Sequence, residues 1–261
     1  MNRRTLFLIA MAAVMIAAFL AFLAMYQGPP AGAATQAPPR HWLISKPELA
    51  RIRAAGATAG FGWVMCDPVP QRSLGCPVPT FTSYYAFRQW VLAGGAGTAE
   101  IDYEGSVTPH WQMTHLLFYV RLTAQLGRAH GVFTILSPIT SRASVPTSML
   151  AVDEQAARYG AGAVDIQLQW MEQHPWRYAA LLASWVPQIR QAGPGTLVLA
   201  GLATDPEGTP VTPWILTRTY SLTRDMVDGY WLNVHPWPGH PGCAPQGCPQ
   251  VAVTFLRNIG A

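Results

Sequence analysis

The chain reads as an α/β protein of the TIM type, a (β/α) barrel that is complete or slightly short, behind an N-terminal apolar helix. Three observations carry that reading. Short strand-like runs alternate with helical runs from residue 40 to the end, the pattern of a parallel sheet covered by helices. Neither a Gly-rich phosphate loop after the first strands nor a P-loop occurs, which weakens the rival architecture, an open doubly wound nucleotide-binding sheet. Three of the strands carry polar residues along one face, whereas strands buried on both sides of an open parallel sheet read as continuous apolar runs.

Taken in order, His41 to Ile44 supplies a first strand ahead of a helix over Pro47 to Ala55, and Gly62 to Cys66 a second strand. A Pro-rich loop leads to a helix near Ser83 to Leu92, then a strand over Ala99 to Glu104 and a helix from Pro109 to about His130. Val132 to Ser137 precedes a helix near Met149 to Tyr159, and Val164 to Gln169 precedes one over Pro175 to Ala192. Leu197 to Ala203, a helix from Pro213 to Val227, Tyr230 to Val234 and a closing helix over Val251 to Ile259 complete the run. Thr108-Pro109 and Thr212-Pro213 each offer a capping hydroxyl followed by proline at the first helical position. Six to eight strands are expected in one domain over 40–261, slightly short of the about 250 residues of a full barrel.

Residues 1–33 form a signal peptide or signal anchor. Arg3 and Arg4 precede an unbroken apolar run from Leu6 to Met25, long enough to span a bilayer. Gly28-Pro29-Pro30 breaks the helix, and Ala31-Gly32-Ala33 offers small residues for a peptidase, so cleavage and retention both stand. Either fate places the rest outside the cytoplasm, secreted or anchored to the outer face of the membrane through residues 6–25, with 34–39 as a tether. The four cysteines agree with export: Cys66 with Cys76 and Cys243 with Cys248 are close pairs beside prolines and glycines, and two local disulfides are the simplest pairing of three. A metal site built from His235, His240, Cys243 and Cys248 does not match zinc-ligand spacing, so no metal and no other cofactor is expected.

Composition bounds the function. Half of the chain is hydrophobic (50%) and only 11% is charged, which excludes disorder. Without the leader, which holds Arg3 and Arg4 and no acid, 15 basic residues face 13 acidic ones, no footprint for nucleic acid.

Side chains alternate along a strand, so Glu100, Asp102 and Glu104 share a wholly acidic face. Asp165, Gln167 and Gln169 share another, and Trp231, Asn233 and His235 a third. Their apolar partners must meet the helices, so the polar sets face the barrel interior, where unpaired carboxylates cost several kcal/mol each unless they pair, bind ligand or reach water. Glu100 and Asp165 lie near strand starts, where a structural role is expected; Glu104, Gln169 and His235 lie at carboxyl ends, where barrel enzymes keep their chemistry. Asp102 and Asp165, one strand apart, are expected as interior neighbours. Trp63, Trp111, Trp170, Trp231 and Trp237, read in or just after carboxyl ends of strands, suit sugar faces as well as a core.

At Ile101-Asp102-Tyr103-Glu104 the sequence resembles the Asp-x-Glu strand ending of chitinase-like and muramidase-like barrel glycosidases. The resemblance implies Glu104 as general acid and Asp102 as the carboxyl that orients substrate or tunes acidity. The further acids of the longer chitinase pattern are absent, since Gly97, Thr98 and Ala99 stand there. Over most of 99–257, on runs such as Val164 to Gln169, Leu199 to Thr204 and Val227 to Asn233, the chain resembles a group of exported actinobacterial proteins with a barrel-like, glycoside-hydrolase-like domain, which brings no activity with it. A two-carboxylate glycosidase needs a second acid; Asp67, Glu172, Asp205 and Glu207 are candidates, and a substrate-assisted route needs none. Two expectations follow. One is a glycoside hydrolase with Glu104 and Asp102 as catalytic residues and Gln167, Gln169, Trp231, Asn233 and His235 binding a glycan or cell-wall polymer. The other is a non-catalytic envelope protein that binds glycan or a protein partner on a degenerate barrel.

Overall fold

A computed structural model describes residues 41–66, 77–105, 107–139, 146–206, 211–234 and 248–261. The leader, the tether, Cys76, Cys243, His235 and Trp237 lie outside these residues. Eight parallel strands close into a barrel in chain order: β1 (His41–Ser45), β2 (Trp63–Cys66), β3 (Val78–Phe81), β4 (Thr98–Tyr103), β5 (Phe133–Pro138), β6 (Ala163–Ile166), β7 (Leu197–Ala203) and β8 (Gly229–Asn233). Around them run α1 (Lys46–Ala54), α2 (Tyr84–Leu92), α3 (His110–Met113), α4 (Leu116–Ala129), α5 (Pro146–Arg158), α6 (Pro175–Ala192), α7 (Pro213–Thr223) and α8 (Cys248–Asn258). The barrel is therefore complete.

Strand alternation builds two separate cores. Outward residues such as Ile44, Ile101, Val164, Leu202 and Leu232 join helix residues such as Ile52, Phe87, Val120, Leu182 and Phe255 in the main core. Inward residues Leu43, Met65, Val78, Ile135, Ala163 and Leu199 form a second cluster that fills the barrel interior. Gly229 is required where β8 meets β1, since a Cβ there would lie 2.0 Å from the His41 carbonyl oxygen.

Three elements differ from the sequence reading. The Pro-rich loop contains β3, whose Pro79 stands opposite Cys66 in the ladder; a proline within four residues argues against a central strand and hides it. The helix expected over Pro109 to His130 breaks between α3 and α4, where His115 leaves helical geometry at φ −124° and ψ 36°. Thr108 does not cap it; the cap position is Pro109, with no side-chain bond. Thr212 does cap α7, its hydroxyl accepting from the Ile215 N–H at 3.3 Å.

Buried carboxylates secure two strand ends. Glu48 completes a capping box with Ser45 and accepts the Val234 N–H at 2.8 Å just beyond β8. Arg51 donates to the Val234 carbonyl at 3.0 Å. Glu172 accepts the Ala203 N–H at 2.8 Å, filling the place beside β7 that β6 vacates by ending at Ile166. Cys66 and Cys248 each belong to a disulfide; the partners expected for them, Cys76 and Cys243, lie outside the described residues. Among the described residues no helix is long and apolar enough to cross a membrane.

Candidate active site in the barrel mouth

β4 supplies the acids. Its register sets Glu100 beside Ile135 and Asp102 beside Ser137, so the two climb the interior one layer apart. Glu100 is 2% exposed and Asp165 fully buried, while Asp102 and Glu104 are half-buried toward the open end. No Lys or Arg forms an ion pair with any of the four among the described residues. Arg121 instead lies over the Tyr159 ring at 4.6 Å.

Unpaired burial decides the protonation. Burial pushes the Asp102 carboxyl up to about 7, reinforced by the charge of Glu104. Burial also holds Glu100 well above the carboxylate range, with the charges of Asp102 and Asp165 adding to it and the hydroxyls of Ser137 and Thr80 opposing. Burial raises Asp165 well above the carboxylate range, and the charge of Asp102 adds to it. Glu100 Oε2, Asp102 Oδ1, Asp165 Oδ1 and Trp231 Nε1 are buried with no hydrogen-bond partner among the described residues.

An amide chain rises from Asp165 toward the mouth. Gln169 Nε2 donates to Gln167 Oε1, and Gln167 Nε2 donates to Asp165 Oδ2. Gln169 does not extend β6 as expected but opens a 3-10 turn, Gln169–Met171. Its amide nevertheless enters the interior through space that Gly201 leaves, since a Cβ on Gly201 would lie 2.3 Å from Gln169 Nε2. Tyr178 anchors the same point, its hydroxyl donating to the Gly201 carbonyl at 2.6 Å. Gly201 is a positioning residue that sequence reasoning passed over, and a glycine within an apolar strand was the available signal.

Thr108 fixes the end of β4. Its hydroxyl accepts the Glu104 N–H at 3.0 Å and donates to the Asp102 carbonyl at 3.4 Å, and its own N–H donates to the Glu104 carbonyl at 2.8 Å. The hydroxyl that reads as a helix cap thus holds the two acidic residues in their turn.

Of the other expected residues, Asn233 ends β8 half-buried, with its carbonyl accepting the Thr204 N–H at 2.9 Å. Trp231 faces inward, aligned with Gly201 and Leu43, against the interior apolar cluster. His235 is outside the described residues. Trp63 departs from its expected place: it opens β2, stacks on His41 at 4.8 Å and 15°, and meets Phe133 at 5.7 Å, on the barrel floor. Among the second-acid candidates, Glu172 is fully buried and spent on Ala203, and Asp205 is buried at the end of β7. Among the described residues no group of three His, Cys, Asp or Glu side chains is placed to hold a metal ion.

No known protein-family model matches the chain. No curated protein matches it either. Among solved structures, it is similar to a xylose isomerase domain protein from Planctomyces limnophilus, at 11% identity and a TM-score of 0.44 over 70% of each chain. It is also similar to a protein assigned as a deoxyribose-phosphate aldolase from Coccidioides immitis, at 12% identity and a TM-score of 0.44, covering 82% of this chain and 79% of that one. At that distance the activities of those proteins carry no weight for this one, and the closed strand order defines the fold.

Proposed function

We propose that the chain is an exported, glycan-active barrel that transfers a proton to a sugar oxygen at its mouth, with Asp102 and Glu104 as the working pair. One observation carries the reading: two carboxyls at the end of β4, without a cationic partner among the described residues, share charge so that Asp102 holds a proton up to about 7. A carboxyl protonated near neutrality can act as a general acid. The resemblance assigns the acid role to Glu104; depth in the barrel favours Asp102, with Glu104 as the charge that tunes it. Gln167, Gln169 and Asn233 supply amides for sugar hydroxyls, and Trp231 a flat apolar wall. Asp67 and Glu207 lie outside the described residues and Glu172 is committed to Ala203, so the reading takes catalysis as substrate-assisted, an N-acetyl group of the glycan replacing the second carboxylate. The export reading keeps the pairings Cys66–Cys76 and Cys243–Cys248 and the placement on the outer face of the membrane.

The same commitment of Glu172 favours a second reading, glycan binding without turnover. Hydrolysis of N-acetylated cell-wall glycans by the wild-type chain, lost in both Asp102→Asn and Glu104→Gln, supports the enzyme. Binding that survives both substitutions, with no turnover in any form, leaves the binding protein.

A further inference from the structure

The barrel interior changes character on the way up. Its lower part is filled by the apolar cluster of Leu43, Met65, Val78, Ile135, Ala163 and Leu199. Above that cluster the inward side chains of β4 and β6 are acidic, and strand register sets their level. Asp102 stands beside Ser137. The ladder that pairs Ile135 with Ala163 and Leu136 with Val164 sets Ser137, on its next step, against Asp165. Asp102 and Asp165 thus share one level on either side of β5, about 10 Å apart across the sheet. Glu100 lies one step below, between Thr80 and Ile135.

Each of these three carboxyls keeps one open acceptor. Glu100 is 2% exposed and Asp165 fully buried, yet Glu100 Oε2, Asp102 Oδ1 and Asp165 Oδ1 have no hydrogen-bond partner among the described residues. Gln167 occupies only the other oxygen of Asp165. The charges that act on the three are those of carboxylates, their own and that of Glu104, with no Lys, Arg or His of the described residues among them. Buried carboxylates are stable when a counter-charge and donors reach them, and this interior supplies neither. A primary ammonium supplies both: it carries three N–H donors, no acceptor and a positive charge, one donor for each open oxygen. A neutral hydroxyl brings one donor and no charge. A metal ion fits less well, since no group of three His, Cys, Asp or Glu side chains among the described residues is placed to hold one.

We propose that the upper barrel interior binds the protonated amino group of a hexosamine unit, held by Glu100, Asp102 and Asp165. The choice of a sugar rests on the glycan reading above; the choice of an amine rests on the three open oxygens. The unit whose N-acetyl group enters the chemistry is then a neighbour of the unit whose amine is held, so the substrate class is a partly deacetylated glycan. Asp102 keeps its acid role, because a protonated carboxyl still accepts through its second oxygen. Glu100 or Asp165 ionises on binding, giving up a proton that burial retains in the free chain.

The test is calorimetric titration of the full chain with the trisaccharides of chitosan and chitin, which share a backbone and differ in N-acetylation. Charge-assisted hydrogen bonds to the amine should make the chitosan trisaccharide bind about tenfold tighter or more. Its affinity should rise from pH 5 to pH 7, and titrations in two buffers of different ionisation heat should show release of about one proton; the chitin trisaccharide should show neither effect. A net charge of +4 gives the chain no overall attraction for a cationic sugar. Glu100→Gln and Asp165→Asn keep the side-chain shapes and should each remove most of the preference, while unchanged affinity for the chitin trisaccharide reports an intact fold. Equal affinity for the two trisaccharides, or tighter binding of the acetylated one, overturns the proposal and leaves the glycan reading standing. A preference for the amine that survives both substitutions also overturns it. Failure of both trisaccharides to bind overturns the glycan reading with it.

Discussion

Replacing Asp102 by Asn keeps the shape of the side chain and removes the charge that burial resists. The free-energy scale follows from the carboxyl itself, which moves from an ordinary 3.8 to about 7 in the folded chain. At about 1.4 kcal/mol for each factor of ten, ionised Asp102 costs the fold at most ~4 kcal/mol. Asp102 is only half-buried and Glu104 reaches solvent, so screening reduces this to ~1–3 kcal/mol. Between about pH 4 and pH 7 the folded chain holds a proton that the unfolded chain has lost, so stability falls as pH rises; the contribution is complete below pH ~4 and gone above pH ~7. Urea unfolding at pH 5 and pH 8 is the assay. Asp102→Asn should be more stable than wild type at pH 8, with the advantage shrinking at pH 5. Glu100 and Asp165 also feel the Asp102 charge, so its loss relieves them in the same direction. A variant less stable than wild type at pH 8, or an equal pH dependence in both proteins, refutes the reasoning.

Gly201→Ala should leave the strand ladder intact but drive Gln169 out of the interior, weakening glycan affinity more than about tenfold while costing ~1–3 kcal/mol of stability from overpacking; binding titration and urea unfolding read the two effects. Glu172→Ala leaves the Ala203 N–H buried without an acceptor and should lose ~1–3 kcal/mol. Glu172→Gln retains an acceptor and should be at least as stable as wild type at pH 8, because burial holds the Glu172 carboxyl well above its ordinary range; the same unfolding curves decide.

The barrel was legible where alternation was clean. Ile101 and Tyr103 outward with Glu100 and Asp102 inward follows from the two-residue period alone, and the structure buries Ile101, Tyr103 and Glu100 and leaves Asp102 half-buried nearer the open end. β3 was hidden because Pro79 lacks the N–H by which strands are recognised. The break at His115 has no proline or glycine at the site to announce it. Depth was the larger gap. Sequence spacing couples Asp102 to Glu104 but does not say which is the more desolvated; the acid role of Glu104 came from the resemblance alone, and burial raises Asp102. Trp63 was misplaced for a related reason: it stands at the start of its strand, and the start of a barrel strand is the floor.

The proton held by Asp102 is tested most directly by titrating the Asp102 side-chain carboxyl by carbon-13 NMR in the wild-type chain and in Glu104→Gln. A midpoint near 7 that moves down when the Glu104 charge is removed is the predicted result. A midpoint near 4 in both proteins would contradict it.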